Sequence, residues 1–130
     1  MLSTETRIHV GAVSLAIVVV AVASVTGVLS EPGLASSITG LIAYGLLFGG
    51  GHLYLAVRGE DGLVPVAARW RYLAMLGILL GTGGLLLLGS ERQVGPIAVE
   101  TVGTAVVVGT IVGYFLVEGI AGYRNTREAP

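Results

Sequence analysis

Four long apolar stretches, Ile8–Leu29, Ile38–Val57, Tyr72–Leu88 and Ile97–Val117, occupy most of the 130-residue chain and leave nearly all of its charges in the gaps. Each is about the length a helix needs to cross roughly 30 Å of hydrocarbon. Lipid offers no partner to a bare amide or carbonyl, so a spanning segment must be a helix or a strand of a closed barrel. These runs are about twice as long as a barrel strand of about nine to eleven residues, which favours helices. Only 12% of residues are charged, about half the share found in water-soluble domains. The solvent for most of this chain is therefore lipid.

The fold class expected is an all-α integral membrane protein in which one domain covers residues 1–130. Its spans are placed at about 8–29, 38–57, 70–88 and 97–120. Short connections favour an up-down-up-down antiparallel four-helix bundle. Ser30-Glu31-Pro32-Gly33 breaks the first helix, and Ser36 or Ser37 is available to cap the second. Pro65 suits the first turn of the third helix, and Pro96 is expected to open the fourth.

The seven basic residues are all Arg. Arg7, Arg58, Arg69, Arg71, Arg124 and Arg127 fall on one side of a four-span topology, and Arg92 alone on the other. Arg-rich short loops stay cytoplasmic, which predicts a multi-pass cell-membrane protein with both termini inside. Trp70, Tyr72 and Tyr123 fall at the same boundary, as interfacial aromatic rings do. Arg7, the apolar run from Gly11 and Ala21-Val22-Ala23 imitate a signal peptide. The run continues through Leu29, which favours a retained span.

Glycine is the second strong signal, at 21 residues, more than twice the usual share of about 7%. Gly45 and Gly49, Gly77 and Gly81, and Gly109 and Gly113 each stand four apart in three different helices. Helices in lipid associate by close backbone approach, which small residues at that spacing permit. Packing inside one bundle is the first expectation, and oligomerisation the second. The clusters Gly49-Gly50-Gly51 and Gly81-Thr82-Gly83-Gly84 read as close packing too.

Few residues carry chemistry. Cysteine is absent, which excludes disulfides, thiolate metal sites and cysteine nucleophiles. No hydrolase or protease motif lies in the spans, and no basic patch suggests nucleic acid. The ionisable candidates in the fourth helix are Glu100 and Glu118, which share one stripe about 27 Å apart. Glu118 opposes the helix dipole and needs a partner, for which Arg58, Arg69 and Arg71 are at the right depth. Antiparallel packing brings His9 and His52 to one interface, where two imidazoles are candidate axial ligands of a b-type haem. Small multidrug transporters share this size and span number, but they depend on a Glu within the first helix, and Val10–Leu29 has none.

The function expected is that of a small non-enzymatic membrane protein of assembly or accessory-subunit type. Its partners would be the lipid bilayer and further copies or other membrane subunits, with no resident cofactor. The alternatives are a homo-oligomeric transporter or channel and, more remotely, a haem electron-transfer subunit.

Overall fold

A computed structural model describes residues 1–130. Its elements are α1 (Thr4–Val25), α2 (Leu34–Gly45), a π-helical turn (Leu46–Gly50), α3 (Gly51–Val57), α4 (Val66–Gly89), β1 (Gln93–Val94), β2 (Ile97–Ala98) and α5 (Val99–Glu128). The stretch from α2 through α3 is one continuous helix with a wide turn in its middle. Counted so, four helices are long and apolar enough to cross a membrane.

The helix ends differ from expectation in instructive ways. The first helix begins four residues before Ile8, because the Ser3 hydroxyl accepts from the Thr6 amide at 3.1 Å and caps it. It ends before Gly27, whose φ of 78° no β-carbon residue adopts readily. Neither Ser36 nor Ser37 is the cap of the second helix. Gly33 holds that position, and the Ser36 hydroxyl reaches back to accept from the Gly33 amide at 2.9 Å. Pro96 does not open the fourth helix. Gly95, with φ 64°, and Pro96 form the two-residue tip between β1 and β2, a loop that requires positive φ at its first position. The helix starts three residues later.

The four helices pack in chain order: α1 on the α2–α3 helix, that helix on α4, and α4 on α5. No comparable seam joins α1 to α5, so the molecule is an open layer rather than a closed bundle. Residue pairs along the seams give the directions. Gly51 meets His9, Gly49 meets Leu76, Leu41 meets Gly84 and Gly103 meets Leu86, so neighbours run antiparallel.

Of the three glycine pairs that the four-residue spacing singled out, one packs within the chain and two do not. Gly49 fits against Leu73 and Leu76, and Gly45 lies in ordinary contact with Leu80. By contrast, a β-carbon at Gly77, Gly81, Gly109 or Gly113 would meet nothing within 4 Å. Close approach occurs at Gly84 against Leu41, at Gly103 against Leu86, and at three successive residues, Gly49-Gly50-Gly51. Gly49 receives α4, while Gly50 and Gly51 receive Ala12 and His9 of α1. Three successive residues without side chains let one helix be approached from both sides, and the π turn lies over the first two of them.

Candidate functional site

Only one charged side chain is fully buried, and it is Arg69. It projects from the first turn of α4 toward α1 and α3. A guanidinium keeps its charge at any accessible pH, so burying one demands compensation by partners. Nη2 donates to Glu5 Oε1 at 2.7 Å, and Nη1 donates to His52 Nδ1 at 2.9 Å. Its Nε is buried with no partner. Arg69 thus pins the start of α1 and the end of α3 to the start of α4.

Each partner is held in turn. The other carboxylate oxygen of Glu5 accepts from the Leu63 amide at 3.1 Å, which brings the 58–65 loop over the cluster. Gly62 makes this closure possible, since a β-carbon there would collide with the Glu5 carboxylate. His9 Nδ1 donates to the Glu5 carbonyl at 2.9 Å, one turn back along α1. The two imidazoles sit edge to face with centroids 4.9 Å apart, and His52 lies 4.8 Å from the Tyr72 ring. The Tyr72 hydroxyl donates to the carbonyl of Phe48 in the π turn at 2.9 Å. A π turn re-aims backbone groups, and such turns recur at functional sites.

Hydrogen bonding decides the tautomers. Arg69 can only donate, so His52 Nδ1 must offer a lone pair, and a neutral His52 carries its proton on Nε2. The carbonyl of Glu5 can only accept, so His9 Nδ1 carries a proton whatever the state of its other nitrogen.

The structure brings His9 and His52 together, but not as a haem site. Ring centroids 4.9 Å apart leave no space for a porphyrin between them. A cation also occupies Nδ1 of His52. No group of three or more His, Cys, Asp or Glu side chains is available to complete a metal site.

The two acids of α5 part company. Glu118 pairs with Arg71, whose Nε and Nη2 reach its two oxygens at 2.6 and 3.4 Å. Of the three arginines at that depth, Arg69 is committed to Glu5 and Arg58 to Glu60. Glu100 is exposed in the first turn of α5 and makes no ion pair. The Arg71–Glu118 pair is partly exposed, and such pairs contribute little to stability. Glu118→Gln is therefore expected to leave thermal stability and protomer fold unchanged. A clear fall in the melting midpoint in detergent would show that this pair anchors α5.

Apolar space lies elsewhere. A cleft of about 560 Å³ opens between α4 and α5 at the opposite end, walled by residues such as Leu86, Val102 and Val106, with Arg92 its single charge. The Arg69 side chain itself is fully enclosed. Compared with known proteins, the chain matches no family model, no curated protein and no solved structure.

Proposed function

We propose that this chain is a small, non-enzymatic, multi-pass membrane subunit whose role is assembly with further copies of itself or with other membrane proteins. On this reading all four helices span the cell membrane as an antiparallel set. Both termini and the Arg69 cluster lie on the cytoplasmic side, following the arginine distribution.

The observation that carries the proposal is the unpartnered face of α5. That helix packs on α4 alone, and Gly109 and Gly113 are left with no neighbour. Glycine within a helix costs about 1 kcal/mol relative to alanine. Lipid gains nothing from its presence, whereas a second helix gains close backbone contact. Gly77 and Gly81 on α4 are uncovered in the same way.

Gly109→Leu provides the test, because its side chain enters open space and spares the protomer. Native mass spectrometry of wild type, gently extracted from its own membranes, is expected to show a complex. The variant is expected to insert and fold normally but run at the protomer mass. A wild-type protein that is monomeric throughout, or a complex that survives Gly109→Leu, would overturn the proposal.

A homo-oligomeric transporter is the alternative. What favours it is the buried Arg69, since an ionisable group enclosed between spans marks ion or substrate pathways in many membrane proteins. A pore lined by α5 with Glu100 and Glu118 at its mouths is the less favoured form of this alternative, since Arg71 pairs with Glu118. Ion or substrate flux in liposomes, abolished by Arg69→Met, would support transport. Tight liposomes at every pH would count against it.

A further inference from the structure

We propose that the Arg69–His52 contact is a proton-operated latch, in which a proton taken up by His52 Nδ1 releases the end of α3 from the start of α4. The inference is independent of the assembly role and rests on the hydrogen bonds of the cluster.

The bond from Arg69 Nη1 to His52 Nδ1 exists only while that nitrogen has a lone pair. Protonation fills the lone pair and sets an N–H against a guanidinium N–H, cation against cation. The groups facing His52 are Glu5 and His9 from α1, and Arg69 and Tyr72 from α4. Among them Glu5 is the single counter-charge, and Arg69 and the Leu63 amide already engage both of its oxygens. The cluster holds no second carboxylate to balance a second cation.

His9 does not behave alike. Its Nδ1 donates to a carbonyl in either protonation state, so protonating its other nitrogen costs it no hydrogen bond. The two rings look equivalent in the sequence, yet only His52 is wired to change a contact when it titrates. Histidine changes charge between about pH 5 and pH 8, the range over which such latches respond.

The same helix offers a place to move. The π turn at Leu46–Gly50 lies just before His52 and contains two glycines, and its Phe48 carbonyl is bound by the Tyr72 hydroxyl of α4. Once Arg69 lets go, what ties α3 to α4 is apolar packing, the contact of His52 with the Tyr72 ring, and the Tyr72 bond to the turn. The wide turn is then the pivot, and the segment Gly51–Val57 the part that swings.

The absence of native cysteine makes the test direct. Spin labels at Val57→Cys and Ala67→Cys, both exposed, report the distance between the end of α3 and the start of α4 in lipid nanodiscs. The expected result is a longer and broader distance distribution at pH 5 than at pH 8, reversible on return. In a His52→Asn background the Asn oxygen still accepts from Arg69 but does not titrate, so the distribution should stay at the pH 8 form throughout. An unchanged distance in the wild-type background, or the same change in His52→Asn, would overturn the latch.

Nitrogen-15 NMR of the imidazoles in the unsubstituted protein guards against a variant that fails to fold. His52 is expected to carry its proton on Nε2 at pH 8 and to gain a second on Nδ1 over the range in which the distance changes. A ring protonated on Nδ1 at pH 8 contradicts the proposed contact.

Discussion

Replacing Glu5 with Gln is expected to destabilise the folded protein by about 1–3 kcal/mol, the loss typical when a buried charged donor, here Arg69, is deprived of its half-buried partner. Gln has one oxygen to offer, to Arg69 or to the Leu63 amide, so the change removes the charge and one of the two hydrogen bonds. What remains is a fully buried guanidinium with no counter-ion. Equilibrium unfolding in mixed micelles measures the loss. The paired change Glu5→Gln with Arg69→Met is expected to recover most of it, because a buried pair exchanged for apolar volume is often neutral. A single variant within about 0.5 kcal/mol of wild type would mean that the pair is energetically idle, like an ordinary surface substitution.

The second large effect is expected at Gly51. A β-carbon there would stand 2.7 to 2.9 Å from three atoms of the His9 ring. That ring has little freedom to retreat, being hydrogen-bonded to the Glu5 carbonyl and set edge to face against His52. Gly51→Ala should therefore cost about 1–3 kcal/mol, the usual penalty of overpacking. It should also move the imidazole nitrogen resonances of both histidines. Gly103→Ala is the informative contrast. Its nearest obstacle is the tip of Leu86, a flexible side chain able to change rotamer, so a smaller loss is expected. Equal losses at the two sites would show that the histidine pair is no more rigid than a leucine.

The helices were legible because lipid imposes a simple rule on apolar length, and the sequence obeys it four times. Their ends were less so, since a single hydroxyl at Ser3 or a glycine at position 95 shifts a boundary without changing the pattern of hydropathy. His9 and His52 were placed together by antiparallel connection alone. Their partners escaped notice for a physical reason. Glu5 and Arg69 read as a tail acid and a loop base, the ordinary furniture of a membrane boundary, yet α1 and α4 each begin early enough to take them into a helix. Arg69 and Arg71 stand two residues apart, and at about 100° per residue they face nearly opposite sides of α4. One is turned toward α1 and α3, the other toward α5. Composition cannot distinguish them; the phase of a helix whose start is known can.

The glycine spacings were legible only in part: Gly45 and Gly49 pack against α4, while Gly77, Gly81, Gly109 and Gly113 meet nothing within the chain. Four-residue repeats identify surfaces capable of close approach, but not which of them the protomer uses. The contiguous triplet at Gly49–Gly51, flanked by helices on both sides, was the better guide to the packing within the chain.

The layered order of the helices also bears on how the chain is made. Each helix meets its main neighbour as soon as the next one enters the bilayer, so most of the architecture can form in step with synthesis. The bond between Arg69 and Glu5 is different: it spans 64 residues. Glu5 must wait at the water boundary, ionised and unpaired, until the third helix arrives. Closing that contact would report that the first three helices have been threaded in the correct sense.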